Sequence, residues 1–174
     1  MTAHTGASRT ITFREHIRPE DEQAVRRMAE ATGFFRADEV EVASELVRER
    51  LSKGAASGYE FVLGDAGAEL IGYACFGEIA CSVGSYDLYW IIVDPAHQGR
   101  GLGRQLVDRV EERVRALAGR NVYIETSSLP KYEPTRRFYE RCGYAIEAVL
   151  RGFYQPGDDK LIYSRHIGTQ TPAE

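Results

Sequence analysis

The segment that most constrains this chain joins an apolar stretch to an amphipathic one through a glycine-rich turn. Residues 93–106 read VDPAHQGRGLGRQL. Three alternate glycines and two arginines stand in it: Gly99, Arg100, Gly101, Gly103 and Arg104. Glycine reaches positive φ angles at little cost, and the first turn of a helix offers unpaired N–H donors with partial positive charge. The pattern therefore predicts an anion site, most naturally for phosphate, where a strand becomes a helix.

Two common nucleotide-binding patterns do not fit this turn. A Walker loop requires Gly-Lys-Ser/Thr, whereas Gly103 is followed by Arg104 and Gln105. A dinucleotide-binding G-x-G-x-x-G loop also fails, because its last position would be Arg104 or Leu106. The pattern present is Q-x-x-G-x-G at 98–103, directly after a stretch that ends in Val-Asp-Pro.

Length and charge limit the class of protein. The 174 residues suit a single domain, which we expect over 9–167 with frayed ends at 1–8 and 168–174. The net charge of −4 argues against a nucleic-acid partner, because such proteins are usually basic. The longest strongly apolar run, Leu88–Val93, is far too short for a membrane span, and no signal peptide is recognised. A cytoplasmic protein is expected, and the sequence leaves open whether it forms a homodimer.

The cysteines and histidines give no sign of a metal or a disulfide. The three cysteines are odd in number and include no C-x-x-C pair, and the four histidines are scattered along the chain. Neither a bound metal nor a disulfide is therefore expected.

Hydrophobic periodicity predicts the element order β-α-α-β-β-β-α-β-α-β-β. The predicted strands cover 9–14, 59–64, 70–77, 86–93, 121–126, 144–150 and 160–167. The predicted helices run from Pro19 to Gly33, over 37–52, from the glycine turn to Gly119, and over 134–142. Leu51 and Leu117 are assigned to the apolar stripes of the second and third helices. Helices interspersed among hairpin-joined strands favour a mixed α/β sheet with helices on its faces.

The Q-x-x-G-x-G turn resembles the acetyl-CoA motif of the GNAT superfamily of N-acetyltransferases. The resemblance extends to Phe138-Tyr139-x-x-x-Gly143-Tyr144, which is similar to the late-helix pattern of that family, and to the element order up to about Ile167. It implies a GNAT fold, with a mixed, mostly antiparallel sheet of about seven strands flanked by about four helices. It also implies acetyl-CoA as the acetyl donor.

The resemblance implies where coenzyme A would bind. The pantetheine arm would pair with the backbone of Ile91, Ile92 and Val93, and the pyrophosphate would lie over Gln98, Gly99, Arg100, Gly101, Leu102, Gly103 and Arg104. Many family members carry an asparagine where this chain has Tyr132, so Ser127 or Ser128 is expected to supply that polar contact.

The resemblance also implies roles in acetyl transfer to an amine. Tyr139 would protonate the departing thiolate, although packing alone would also explain this residue. Asp87 would serve as the base, with Glu78 as the second candidate; the alternative for Asp87 is an ordinary acid at a strand edge. Because no cysteine is well placed for an acetyl-enzyme, direct transfer in a ternary complex is favoured.

The acceptor is expected to be a primary amine of a small molecule or a peptide. In this fold the first two helices and the loop between the last two strands close over it, which implies Phe34 and Phe35 on one side and 151–159 on the other, including Arg151 and Tyr154. Arg36 and Arg151 would suit an acceptor carboxylate, whereas Asp158 and Asp159 would suit a second amine. Charge therefore does not choose the acceptor.

A different class of function remains open on sequence grounds. The same fold could serve as a CoA-binding regulatory module without turnover. The candidate acid Tyr139 and base Asp87 favour the enzyme.

Overall fold

The computed structural model describes residues 10–168. The strands are β1 (Ile11–Arg14), β2 (Glu60–Ala66), β3 (Glu69–Glu78), β4 (Ser85–Val93), β5 (Asn121–Ser127), β6 (Ala145–Gln155) and β7 (Asp158–His166). The helices are α1 (Pro19–Ala31), α2 (Ala37–Lys53), α3 (Leu102–Ala116) and α4 (Glu133–Arg141). The predicted element order is confirmed. The expected frayed ends are 1–8 and 168–174. Except for Gly168, these residues and Arg9 lie outside the described residues, and Gly168 donates its N–H to the Arg120 carbonyl.

The seven strands form one sheet in the order β1-β2-β3-β4-β5-β7-β6. Every neighbouring pair is antiparallel except β4 and β5, which run parallel. The predicted mixed, mostly antiparallel sheet of seven strands with four helices is therefore confirmed. The most apolar strand, β4, lies in the middle of the sheet.

Helices cover both faces of the sheet. One apolar cluster joins α1 and α2 to the sheet, with Val25, Val47 and Phe61 almost completely buried. The other cluster joins α3 and α4 to the opposite face, with Leu106 and Tyr139 among its members. Burying an apolar stripe of each helix against the sheet is what holds these layers together.

Two leucines assigned to buried stripes lie outside them. Leu51, in the last turn of α2, is 37% exposed, and Leu117, just beyond the end of α3, is 38% exposed. Both lie after the last buried residue of their helix, which is Val47 in α2 and Val114 in α3. A stripe is buried only where a partner surface lies beneath it.

A β-bulge at Tyr89 changes the face to which β4 presents its side chains. Cys75 of β3 lies opposite Trp90, while Phe76 lies opposite Leu88, so Tyr89 is an extra residue on β4. Leu88 therefore packs toward α3, and after the bulge Trp90 packs toward α1 and α2. One inserted residue inverts the alternation of a strand.

The two parallel strands at the centre of the sheet separate soon after they meet. Pairing between β4 and β5 covers only Ser85–Asp87 and Asn121–Tyr123. Beyond Asp87, β4 has no partner on that side, and Ile91 and Val93 are only partly buried. The structure thus opens a V-shaped gap in the middle of the sheet.

The hairpin of β6 and β7 replaces most of the loop predicted at 151–159. The strands are longer than predicted and meet at a tight turn through Pro156 and Gly157. Their register shifts between Leu150 and Gln155, so that part of β6 bulges away from β7. The Asp159 carboxylate holds this bulge by accepting the N–H of Gly152 at 2.8 Å.

Candidate active site

A cavity of about 840 Å³ occupies the gap between β4 and β5. Its walls combine the end of β4, the glycine turn with the start of α3, the end of β5, helix α4, the connection between α1 and α2, and the tip of the β6–β7 hairpin. The predicted site residues that line it are Phe34, Phe35, Ile91, Val93, Gln98, Gly99, Gly101, Leu102, Gly103, Arg104, Ser127, Tyr139 and Tyr154. The predicted residues that do not line it are Glu78, Asp87, Ile92, Arg100 and Arg151.

The glycine turn has the backbone conformation that its sequence predicts. Gly99 and Gly101 have φ angles of 72° and 83°, and a Cβ added at either would meet no heavy atom within 4 Å. Glycine is therefore required here for backbone conformation and open access, not to avoid crowding inside the fold. Gly101 is the N-cap of α3, so the unpaired N–H groups of its first turn lie at the cavity.

Polar side chains brace this turn from both sides. The Gln98 amide donates from Nε2 to the Val93 carbonyl at 3.0 Å, which ties the turn to the end of β4. Arg104 donates to Asp108 at 2.8 Å and to the carbonyl of Arg141 at 3.0 Å, which ties α3 to α4. The Arg104 guanidinium thus lies at the cavity with its orientation already fixed, whereas Arg100 is exposed outside it.

The end of β4 presents backbone groups to the gap at alternate residues. The Asp94 N–H donates to the Ile71 carbonyl of β3 at 2.9 Å. Because hydrogen-bonded and non-hydrogen-bonded positions alternate in an antiparallel pair, Ile91 and Val93 direct their N–H and C=O groups away from β3, into the gap. Ile92 directs its backbone to β3 and its side chain, 3% exposed, into the core. Of the three predicted positions, two therefore face the cavity.

Tyr139 reaches the cavity from α4. The side chain is 6% exposed and packs among Phe138, Tyr144 and Tyr163, with ring centroids 5.4–6.3 Å away. Its hydroxyl makes no hydrogen bond within residues 10–168, although the residue lines the cavity. Burial, followed by the proximity of Cys142, raises the pKa of Tyr139, so the hydroxyl is protonated at neutral pH.

The two base candidates lie in different places. Asp87 is half-buried at the point where β4 and β5 separate, and burial, followed by repulsion from Glu125, raises the pKa of its carboxyl group against the opposing effect of Lys160. Glu78 ends β3 and accepts the N–H of Gly84 at 3.4 Å in the turn to β4. The structure therefore brings Asp87 to the base of the gap but leaves Glu78 away from the cavity.

Ser127 lies at the end of β5 and contacts the hairpin. Its hydroxyl donates to the Asp158 carboxylate and accepts the N–H of Leu129 at 3.0 Å. Ser128, the alternative to Ser127, accepts the N–H of Asp159 at 2.8 Å and does not line the cavity.

Aromatic side chains close the end of the cavity opposite the glycine turn. Phe34 packs edge-on against Tyr132 at 4.8 Å, and Phe35 against Trp90 at 5.0 Å, measured between ring centroids. The wall also includes Arg36, Tyr132 and Asp158, which the sequence named for the acceptor or the donor. Side chains of the wall that the sequence did not single out are Glu39, Tyr89, Trp90, Glu125 and Thr126. The alternation of side chains along β5 gives only a weak indication that Glu125 lies in the site. Glu125 reaches the cavity because β4 and β5 separate, and that separation is a tertiary feature.

The sequence profile of the acetyltransferase (GNAT) family matches residues 22–144. The chain belongs to the GNAT family of acetyltransferases. The match begins within α1, ends directly before β6, and includes the glycine turn and the Phe138–Tyr144 motif. The resemblance recognised from these motifs is therefore confirmed, and the chain is an acyltransferase.

Solved structures agree with this assignment. An acetyltransferase assigned to the GNAT family from Desulfovibrio desulfuricans is 49% identical, with a TM-score of 0.90 over 91% of this chain and 99% of that one. An aminoglycoside 6'-N-acetyltransferase complexed with coenzyme A is 18% identical, with a TM-score of 0.73 over 93% and 99% of the two chains. The ribosomal-protein-S18-alanine N-acetyltransferase from Escherichia coli is 15% identical, with a TM-score of 0.72 over 95% and 99%. The last two show the shared fold alone, and no curated protein matches the sequence significantly.

Neither a metal cluster nor a membrane-spanning helix is found in the described part of the chain. Within residues 10–168, no group of three or more His, Cys, Asp or Glu side chains is arranged to hold a metal ion. No helix in the same range is long and apolar enough to cross a membrane.

Proposed function

We propose that this chain transfers an acetyl group from acetyl-CoA to a primary amine of a small molecule or peptide, by direct transfer in a ternary complex. The observation that carries the proposal is the single cavity that runs from the glycine turn through the gap between β4 and β5 to the aromatic end. A donor and an acceptor can therefore meet inside the sheet from opposite ends.

Donor binding rests on the glycine turn and on β4. The N–H groups of the first turn of α3, with the Arg104 guanidinium beside them, suit the pyrophosphate of coenzyme A. The outward-facing backbone groups of Ile91 and Val93 suit an extended amide chain, which would bind as an added strand. The Gln98 amide occupies the Val93 carbonyl, so it has to turn aside if pantetheine bonds there.

The chemistry requires a polarised carbonyl, a neutral amine and a stabilised leaving group. The Ile91 N–H points into the gap and is the donor we assign to the acetyl oxygen. Asp87 does not line the cavity, so it would take a proton from the amine through water. Its raised pKa brings it nearer the pH at which a base is effective. Tyr139 would donate its hydroxyl proton to the sulfur as the C–S bond breaks.

Direct transfer is favoured by the placement of the cysteines. Cys75 and Cys142 are buried and Cys81 is exposed, and none of them lines the cavity. Burial raises the pKa of Cys75 and of Cys142, which disfavours the nucleophilic thiolate. An acetyl-enzyme on cysteine therefore has no support in this cavity.

The proposal is tested first by ligand-dependent stability. A ligand that binds only the folded state raises the melting temperature by mass action, so acetyl-CoA should do so and ATP and NAD at equal concentration should not. Release of free thiol in the presence of amines then separates an enzyme from a CoA-binding module. A larger shift with ATP or NAD would contradict the donor assignment, and donor binding without thiol release from any amine would favour the module.

A further inference from the structure

The charged side chains at the aromatic end of the cavity indicate which charge the acceptor carries besides its reacting amine, a point on which the sequence did not decide. Both arginines that would suit an acceptor carboxylate are already paired with acids. Arg36 forms ion pairs with Asp38 at 3.0 Å and Glu39 at 3.5 Å. Arg151 is 88% exposed, lies outside the cavity and has Asp159 at 3.9 Å. Arg36 lines the cavity, but the two acids beside it offset its charge there, and Arg151 contributes no charge to the cavity.

Asp158, unlike the two arginines, has no oppositely charged partner in the described part of the chain. It lines the cavity and is only 6% exposed, at the start of β7. Its carboxylate accepts a hydrogen bond from the Ser127 hydroxyl and forms no ion pair with any described residue of 10–168. The neighbouring acid Glu125 differs, because it is paired with Lys160. A nearly buried carboxylate without a cation is costly unless something else supplies positive charge.

Aromatic rings stand beside this carboxylate. Tyr132 and Tyr154 both line the cavity, and repulsion from Asp158 contributes to the raised pKa of each, after burial and Glu39 for Tyr132 and after burial and Glu125 for Tyr154. Phe34 packs on Tyr132 at 4.8 Å. Both tyrosine rings already attract a cation on one side: the Lys131 Nζ lies 5.0 Å from the Tyr132 ring centroid and the Lys160 Nζ 5.8 Å from that of Tyr154. Aromatic faces combined with a desolvated carboxylate are a favourable environment for an ammonium or guanidinium group.

We propose that Asp158, together with the rings of Tyr132 and Tyr154, binds a second positively charged group of the acceptor. The preferred acceptor is then a diamine or another amine that carries a second cation, and an amine with a free carboxylate nearby is disfavoured. This inference rests on the proposed acetyl transfer and adds the acceptor class to it. Asp158 touches the acceptor in this arrangement but takes no part in the bond that forms.

Three probes of matched length test the acceptor class on the wild-type protein. They are 1,4-diaminobutane, butylamine and 4-aminobutanoate, assayed by thiol release at saturating acetyl-CoA. We expect kcat/KM for the diamine to exceed that for butylamine about tenfold or more, which corresponds to about 1.4 kcal/mol, and 4-aminobutanoate to be the poorest. Equal values for the first two probes, or a preference for 4-aminobutanoate, would overturn the proposal.

The substitution Asp158→Asn removes the charge and keeps an oxygen that can accept the Ser127 hydroxyl bond. We expect the preference for the diamine over butylamine to disappear, while the KM for acetyl-CoA stays within about twofold, because the phosphate-binding turn is untouched. Asp159→Asn is the matched control: it removes a charge from the same hairpin, outside the cavity, and its oxygen can still accept the Gly152 N–H. A preference that survives Asp158→Asn, or that is lost equally in the control, would contradict the assignment to Asp158.

Failure of the acceptor proposal is distinguishable from failure of acetyl transfer. If acetyl-CoA binds and butylamine is acetylated as efficiently as the diamine, acetyl transfer is supported and the proposed acceptor class is wrong. If none of the probes is acetylated, calorimetric titration of 1,4-diaminobutane and butylamine into the complex with coenzyme A decides. Tighter binding of the diamine that Asp158→Asn abolishes supports the site, and equal or absent binding overturns it.

Discussion

Asp87 of β4 and Tyr123 of β5 form the last cross-strand pair before the two parallel strands separate. The gap that follows contains the cavity and exposes the backbone of Ile91 and Val93. Asp87 therefore lies at the closed base of this gap, outside the cavity wall, half-buried and with a raised pKa. Its position explains how one strand can contribute to the core at one end and to a binding site at the other.

The glycine turn can be tested with a pair of matched substitutions. Gly101 has a φ angle of 83° and Gly67, in the β2–β3 turn far from the cavity, has 70°; an added Cβ would clash with nothing at either. Gly101→Ala and Gly67→Ala should each cost about 1 kcal/mol of unfolding free energy from backbone strain. Only Gly101→Ala should also weaken coenzyme A binding, about tenfold or more by calorimetric titration, because its methyl group projects where phosphate approaches. Equal affinities in the two variants would show that the turn does not bind the donor.

Tyr139 can be tested by removal of one hydroxyl group. Tyr139→Phe keeps the ring packing, so the affinity for acetyl-CoA should hardly change while kcat falls about 10²-fold, the loss typical of a positioned acid. Tyr73→Phe serves as the control, because the Tyr73 hydroxyl is buried in the core without a hydrogen-bond partner and does not line the cavity. We expect the control to keep full kcat and to be about 1 kcal/mol more stable in denaturant unfolding, since it removes an unsatisfied buried group. Full kcat in Tyr139→Phe would assign that tyrosine to packing alone.

Asp87 should show a conflict between activity and stability. Its pKa is raised in the folded state, so the folded protein binds the proton more tightly than the unfolded chain. The ionised carboxylate therefore costs stability once the pH rises above the unfolded value of about 3.9, and this cost reaches its full size above the folded pKa. Asp87→Asn should raise the melting temperature at pH 7 and lower kcat with an amine acceptor. A variant that is both less stable and fully active would contradict the burial argument and the base assignment together.

The pH profile gives a second test of the same residue. If Asp87 is the base, wild-type kcat/KM falls as the pH drops through its pKa, at a pH above that of an ordinary aspartate. In Asp87→Asn this fall in kcat/KM should be absent, so that the pH dependence reflects only the titration of the acceptor amine. An unchanged profile at a uniformly lower rate would point to a role in holding β4 and β5, not in proton transfer.

Local patterns were sufficient to predict the order of the strands and helices and the place of the glycine turn. The order of strands and helices follows from periodicity and from breakers such as Pro19 and Gly143, and those signals are contained in a few consecutive residues. The glycine turn likewise has its predicted place between β4 and α3, because backbone freedom at Gly99 and Gly101 is a property of those residues themselves. The pattern was wrong at the ends of two helices, where Leu51 and Leu117 continue the apolar spacing but are exposed.

The sequence by itself determined the family, the fold and the position of the glycine turn, because each depends on short-range pattern. Only the tertiary structure decided which side chains meet in the gap. The bulge at Tyr89 inverts the faces of β4 and turns Trp90 toward α1 and α2, and the separation after Asp87 opens the cavity. The hairpin carries Asp158 to Ser127 across 31 residues of sequence. Such meetings depend on strand register and packing between distant segments, which local periodicity does not specify.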